Sequence, residues 1–135
     1  MTPDGSVLIV DDDPNVRAML GFTLGDEFHV RYASTGGAAL EELELRPPAI
    51  MLLDVAMPGV DGYDVLELRR QRGLAPDTCV VIVSGNDDER DLVRGWALGA
   101  DAYIVKPVDP GQIADKIRQY LAGTTPLSST NPLGA

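Results

Sequence analysis

The sequence is poor in cysteine and in positive charge. Cys79 is the single cysteine among 135 residues, which excludes an internal disulfide and a cysteine-based zinc site. Eleven Lys and Arg residues stand against 21 Asp and Glu residues, giving a formal charge of −10. A domain that grips nucleic acid or an anionic membrane needs the opposite balance. We therefore expect neither nucleic acid nor a membrane as a partner of this chain.

Long apolar runs are also missing. The longest extend over only a few residues, too few for a transmembrane helix, and the opening residues MTPDG lack the basic and apolar stretches of a signal peptide. Hydrophobic residues make up 44% and charged residues 24%, which is typical of a globular domain. The composition predicts one cytoplasmic domain that is large enough to bury a core.

Five short apolar runs alternate with segments of helical spacing. The runs are 7–10, roughly 29–33, 50–53, 80–83 and 103–105. Three of them are apolar throughout, which is typical of parallel strands covered on both faces. Between the runs, apolar residues recur at helical spacing, as in Val16, Met19, Leu20 and Leu24, or Ile113, Ile117 and Leu121. The pattern predicts an α/β fold with a doubly wound five-stranded parallel sheet and helices on both faces.

The last residues differ from the rest of the chain. Residues 122–135 contain no charged side chain, and nine of the fourteen are Gly, Pro, Ser or Thr. The expected division is a folded domain over 1–122 and a disordered tail or the start of a linker over 123–135.

Polar side chains cluster where the predicted strands end. Because ligands bind beyond the carboxyl ends of parallel strands, these residues define a candidate site: Asp11, Asp12, Asp13, Asp54, Ser84 and Lys106. Crowded carboxylates favour a cation among them, and an all-oxygen ligand set suits Mg²⁺ or Mn²⁺. A lysine and a hydroxyl could hold phosphoryl oxygens, and an aspartate can act as a nucleophile. The residues thus indicate metal-assisted phosphoryl transfer to a carboxylate.

Four segments lie at the ends of the predicted strands: 10–13 (VDDD), 54–62 (DVAMPGVDG), 84–85 (SG) and 99–107 (GADAYIVKP). Together and in this order they resemble the receiver domain of two-component response regulators, and the resemblance covers roughly residues 5–122. It implies a flavodoxin-like sheet with strand order 2-1-3-4-5.

The resemblance implies a role for each acidic residue. Asp54 would be the phosphoacceptor for a sensor histidine kinase or a phosphotransfer protein, in a reaction that needs Mg²⁺. The metal ligands would be Asp12 directly, Asp11 mainly through water, Asp54, and the backbone carbonyl of Ala56. Asp13 is expected to cap the following helix instead. Such a chain would catalyse only its own phosphorylation and dephosphorylation, so it is not a conventional enzyme.

The resemblance also implies a switch. Lys106 would pair with Asp54, and later with the phosphoryl group, to which Ser84 would donate a hydrogen bond. A cis peptide at Pro107 would aim the lysine. Ser84 would move on phosphorylation and Tyr103 would rotate inward, which changes the surface of the fourth helix, fifth strand and fifth helix.

Several alternatives remain open at this stage. Trp96, in the fourth helix, is either partly buried or part of a docking surface. The output could be a separate downstream protein, an effector domain missing from this chain, or a phosphorylation-dependent homodimer. A pseudo-receiver that works as an unphosphorylated interaction module is the main alternative function. An aspartate-nucleophile phosphohydrolase is disfavoured by Ala56, where such enzymes place a second aspartate, and a flavin carrier is disfavoured by the acidic first loop.

Overall fold

The computed structural model describes residues 4–85 and 89–122. Ten elements alternate strictly between strand and helix, and they follow here in chain order. They are β1 (Val7–Val10), α1 (Pro14–Leu24), β2 (Val30–Ala33), α2 (Gly36–Leu45), β3 (Ile50–Leu53), α3 (Gly62–Arg72), β4 (Cys79–Ser84), α4 (Glu89–Ala97), β5 (Ala102–Val105) and α5 (Pro110–Ala122). The tail predicted over 123–135 lies outside the described residues.

All five strands run parallel in the order β2-β1-β3-β4-β5, so the predicted fold class and strand order are confirmed. Val10, the last residue of β1, pairs with Ala33 on one side and Leu53 on the other, and both are the last residues of their strands. Ser84 and Val105 likewise end β4 and β5 as a pair. The residues that follow the strands therefore emerge along one edge of the sheet.

The core lies on both faces of the sheet, as continuously apolar parallel strands require. Side chains alternate along each strand: Leu8 and Val10 point to the side of α2 and α3, whereas Val7 and Ile9 point to the side of α1 and α5. None of the helices in the described parts of the chain has the length and apolar character needed to cross a membrane.

Two residues of the predicted apolar helix faces are exposed instead. Met19 is 42% and Leu121 is 46% exposed. Met19 lies about 100° around α1 from its buried neighbour Leu20. Each four-residue step drifts by about 40° around a helix, so Leu121 has turned away from the sheet by the last turn of α5. The predicted inward orientation of these two side chains is wrong.

Side-chain caps fix where the helices begin. The Asp13 carboxylate accepts from the Asn15 backbone N–H at 2.8 Å, and Pro14 occupies the first turn of α1, as Asp-Pro predicts. Asp109 accepts from Gly111 in the same way at the start of α5. Asp61 and Asp64 form a reciprocal capping box at the start of α3. Each cap starts its helix directly beyond the sheet edge that carries the polar residues.

Candidate functional site

Four elements deliver the polar residues to the sheet edge. Asp11 directly follows β1 and Asp54 directly follows β3, while Lys106 directly follows β5. Ser84 is the last residue of β4 and is buried. The apolar strands anchor these side chains, because each strand end is fixed by the core residues immediately before it.

Three carboxylates converge at this edge. Ligand atoms of Asp11, Asp12 and Asp54 all lie within 4.8 Å of one another. Asp11 and Asp54 are only 3% and 5% exposed, whereas Asp12 is open to solvent. Asp13 is not in this cluster among the described residues, because its carboxylate caps α1. The expectation that Asp13 is a helix cap is therefore confirmed.

Lys106 is the cation of the cluster. Its Nζ lies 3.2 Å from Asp11 Oδ2 and 3.7 Å from Asp54 Oδ2. The Lys106 backbone N–H donates to the Ser84 carbonyl at 2.7 Å, and the peptide bond to Pro107 is cis. Lys106 thus bridges two carboxylates and lies closer to Asp11, a partner that sequence reasoning missed.

The electrostatic balance at Asp54 is unfavourable to its charge. Burial is the largest influence and raises the pKa of the Asp54 carboxyl, and the charges of Asp11 and Asp12 raise it further. The Ala56 backbone N–H, which donates to Asp54 Oδ1 at 3.0 Å, lowers this pKa, as does Lys106. Three carboxylates with one ammonium leave net negative charge in a partly buried place. An all-oxygen set with one solvent-facing side fits a hard divalent cation that keeps several waters, such as Mg²⁺.

Backbone contacts hold the two buried carboxylates in place. Asp11 Oδ1 accepts from the Asp13 backbone N–H at 2.9 Å, and the Arg17 guanidinium donates to the Asp11 carbonyl at 2.8 Å. On the other side, Gly62 lies against the Asp54 segment: a Cβ on Gly62 would come within 2.6 Å of the Asp54 carbonyl oxygen. Sequence reasoning missed the contacts of Arg17 and Gly62, because both depend on distances between elements that the local pattern does not contain.

Tyr103 is already inward in this structure. It lies in β5 and is only 9% exposed, and its ring lies next to α4 at Gly95, where a Cβ would be 3.7 Å from Tyr103 Cδ2. Trp96 is half-buried and packs against the core on the same side of the sheet. This resolves part of the question about Trp96, because its ring contributes to packing.

These features define a class: a doubly wound α/β domain with a carboxylate cluster and one lysine at the carboxyl edge of the sheet. Comparison with known proteins identifies the family, since the model described as the response regulator receiver domain matches residues 7–118. The chain is 38% identical over 117 residues to the sensory transduction protein RegX3 of Mycobacterium tuberculosis (strain ATCC 25618 / H37Rv), which covers 86% of this chain and 50% of that protein. It is 34% identical over 116 residues to the DNA-binding response regulator MtrA of Mycolicibacterium smegmatis, which covers 85% of this chain and 50% of that protein.

A solved structure supports the same assignment. The crystal structure of a CheY-like response regulator receiver domain protein from Methanospirillum hungatei JF-1 matches with a TM-score of 0.79 at 30% identity, covering 88% of this chain and 94% of that chain. The chain belongs to the response regulator receiver domain family of two-component signalling. It is thus related to signalling proteins rather than conventional enzymes, and it spans about half the length of the curated relatives it matches.

Proposed function

We propose that this domain accepts a phosphoryl group on Asp54 from the phosphohistidine of a sensor histidine kinase or a phosphotransfer protein. The observation that carries the proposal is the position of Asp54: a nearly buried carboxylate, 3.7 Å from the Lys106 ammonium and within 4.8 Å of two further carboxylates. Membership of the receiver family supports the same reaction.

In the proposed reaction, a carboxylate oxygen of Asp54 attacks the phosphorus in line. The phosphorus–nitrogen bond of the donor breaks, its electron pair stays on the imidazole nitrogen, and that nitrogen takes up a proton. An acyl phosphate forms on Asp54. The Ala56 N–H keeps one oxygen of Asp54 in place, and Lys106 turns from the carboxylates toward a phosphoryl oxygen.

A divalent cation completes this proposal. Mg²⁺, or Mn²⁺ in its place, would be held by Asp11, Asp12, Asp54 and the backbone carbonyl of Ala56. When bound, it supplies positive charge that offsets the carboxylates and the phosphoryl oxygens. The described acidic cluster is compatible with such a cation. Without it, the three carboxylates would repel an approaching phosphoryl group.

The proposed output is a shift between two arrangements of the α4-β5-α5 surface. Phosphorylation adds a group carrying about −1.5 to −2 charges, and the Ser84 hydroxyl would donate to one of its oxygens. Because the Tyr103 ring is already inward, phosphorylation would stabilise this position rather than create it. Trp96 and its neighbours on α4 belong to the surface that would change.

The partners on the output side are proposed more broadly. A separate downstream protein or an effector domain of a longer protein could read the surface, and a homodimer formed after phosphorylation is a third arrangement. The relatives RegX3 and MtrA are about twice the length of the aligned region, which is compatible with an attached effector. A cytoplasmic location is proposed on the same family grounds.

The test is direct phosphorylation of the purified chain. We would incubate it with Mg²⁺ and acetyl phosphate and record intact masses, with Asp54→Asn and, as a matched control, Asp26→Asn at an exposed position. The expected result is one added phosphoryl group that requires both Mg²⁺ and Asp54 and that Asp26→Asn retains. No added group, together with no spectral change on adding beryllofluoride, would overturn the proposal and favour the pseudo-receiver.

A further inference from the structure

Tyr63, in the first turn of α3, connects two helices across the sheet face. Its side chain is 6% exposed, and its hydroxyl donates to the backbone carbonyl of Asp91 in α4 at 3.2 Å. The Arg94 guanidinium carbon lies 4.3 Å from the centroid of the Tyr63 ring, within the range of a cation–π contact. One tyrosine of α3 thus touches α4 through both its hydroxyl and its ring.

Tyr63 also meets the proposed switch residue. Burial raises the pKa of the Tyr63 hydroxyl, and a hydrogen bond with the Tyr103 side chain raises it further. Both tyrosines belong to the same buried cluster. The Tyr103 ring lies next to α4 at Gly95. We call the group of Tyr63, Tyr103, Asp91 and Arg94 the tyrosine clamp. It joins α3, α4 and β5, and the last two of these form part of the surface proposed to change.

Gly62, the residue before Tyr63 of the clamp, contacts the segment 54–56 that begins with the phosphoacceptor Asp54. The Gly62 N–H donates to the Val55 carbonyl at 3.2 Å, and Gly62 approaches the Asp54 backbone so closely that a Cβ would collide with it. A movement of the 54–56 segment would therefore move Gly62 and, with it, the Tyr63 ring. This backbone contact provides a physical path from the site to the clamp.

The chemistry of the hydroxyl distinguishes the clamp from ordinary core packing. A buried phenol needs partners for its polar group, since an unpaired one is costly. The hydroxyl of Tyr63 has hydrogen-bond partners on α4 and β5. These hydrogen bonds therefore exist only while those elements keep their present positions. Phenylalanine would fill nearly the same volume but would lack this dependence.

We propose that Tyr63 is a positioning residue of the switch, whose hydroxyl holds α4 and the Tyr103 ring in the inward arrangement before phosphorylation. This inference rests on the proposed function, which defines the inward and outward arrangements as the two states of the switch. Loss of the hydroxyl should lower the ratio of inward to outward molecules roughly two- to tenfold, which is the effect of one net hydrogen bond. Phosphorylation would then be needed to reach the arrangement that the wild-type protein already favours.

The experiment compares wild type, Tyr63→Phe and Tyr32→Phe, a matched loss of a hydroxyl from a half-exposed tyrosine on β2. Two readouts report on α4: its amide resonances and the fluorescence of Trp96, the single tryptophan. We expect Tyr63→Phe to shift both in the unmodified protein, and Mg²⁺ with beryllofluoride to return them toward the wild-type positions. Tyr32→Phe should leave both unchanged, and phosphorylation from acetyl phosphate should persist in all three proteins.

Two outcomes would overturn the inference. One is a Tyr63→Phe protein whose α4 resonances and Trp96 emission match wild type. The other is a shift that beryllofluoride does not reverse although mass spectrometry shows phosphorylation, because this indicates lost packing only. If Tyr63→Phe fails to fold, Arg94→Ala removes the contact with the Tyr63 ring. It should shift the α4 resonances and the Trp96 emission, and beryllofluoride should return them toward wild type. A shift that beryllofluoride does not reverse, or no shift, would again overturn the inference. Failure of the wild-type protein to be phosphorylated would instead count against the proposed function, and this result is distinct from the two outcomes that overturn the role of Tyr63.

Discussion

Replacing Asp54 with asparagine should make the metal-free protein more stable, although it removes the proposed phosphoacceptor. The substitution keeps the size of the side chain, and the asparagine oxygen can still accept from the Ala56 N–H. What changes is the charge, which burial and two neighbouring carboxylates oppose and one lysine favours. The sign of the effect therefore depends on which of these influences is larger.

The geometry gives the magnitude. At an effective dielectric constant of about 20, two like charges 4.8 Å apart repel by roughly 3.5 kcal/mol, and Asp54 faces both Asp11 and Asp12 within that distance. The attraction to Lys106 at 3.7 Å is worth about 4.5 kcal/mol on the same scale. The two repulsions exceed the attraction by about 2.5 kcal/mol, and solvent around Asp12 and Lys106 weakens every contribution. We expect a gain of about 1–2 kcal/mol, or roughly 3–8 °C in Tm for a domain of this size.

Urea unfolding at pH 7 measures the effect, first with EDTA and then with millimolar Mg²⁺. Asp26→Asn removes an exposed carboxylate and serves as the control, with no change expected. Mg²⁺ should stabilise wild type more than Asp54→Asn, because bound ligand stabilises the folded state by mass action and the variant lacks one proposed ligand. The difference in unfolding free energy between Asp54→Asn and wild type should therefore be smaller in Mg²⁺ than in EDTA. An Asp54→Asn protein no more stable than wild type in EDTA would refute the electrostatic reasoning.

The pH dependence provides a second check with a defined sign. The pKa of the Asp54 carboxyl is raised in the folded protein above its ordinary value of 3.8, so ionisation opposes folding. This penalty is absent below the unfolded-state pKa and complete above the raised folded-state pKa. The advantage of Asp54→Asn should thus grow as the pH rises through the raised folded-state pKa and should shrink as the pH falls toward the ordinary value of 3.8.

Three further predictions concern the scaffold. Gly62→Ala should lower the free energy of unfolding in urea by about 2–3 kcal/mol, since its Cβ would meet the Asp54 carbonyl; wild-type stability would contradict the close approach. Arg31→Met should cost about 2–3 kcal/mol in thermal unfolding, because buried Arg31 donates to Glu42; a loss below about 0.5 kcal/mol would argue against that network. The Cys79 thiol is buried and burial raises its pKa to about 12, so at pH 8.5 iodoacetamide should label the folded protein at least about a thousandfold more slowly than the urea-unfolded chain; equal rates would contradict the burial.

The location of the candidate site could be predicted because the apolar pattern shows where each strand ends. A run such as residues 50–53 is buried on both faces, so the first polar residue after it, Asp54, must emerge at the edge of the sheet. The strand order implied by the family resemblance then places Asp11 and Asp54 after neighbouring strands and Lys106 at the same edge. The caps at Asp13 and Asp61 are predictable for a similar reason, since a cap depends on residues only two or three positions away.

Contacts that depend on tertiary distances could not be predicted. Nothing in the local pattern distinguishes Asp11 from Asp54 as the nearer partner of Lys106, because both follow buried strands. Arg17 is six residues from Asp11, whose carbonyl it contacts. Nothing in the local sequence distinguishes its side chain from the other polar side chains on helices. The exposed Met19 shows the same difficulty from the apolar side, because hydrophobicity alone does not specify where around a helix burial ends.

The adjacent residues Gly62 and Tyr63 are constrained in two different ways. Gly62 is constrained by space: its backbone lies against the Asp54 segment, so any side chain would collide there. Tyr63 is constrained by chemistry: its site accommodates an aromatic ring, and the hydroxyl contributes by reaching α4. Substitution of the first should therefore act on stability and on the phosphoacceptor together. Removal of the hydroxyl from the second should leave the phosphoacceptor intact and alter only how its state is transmitted.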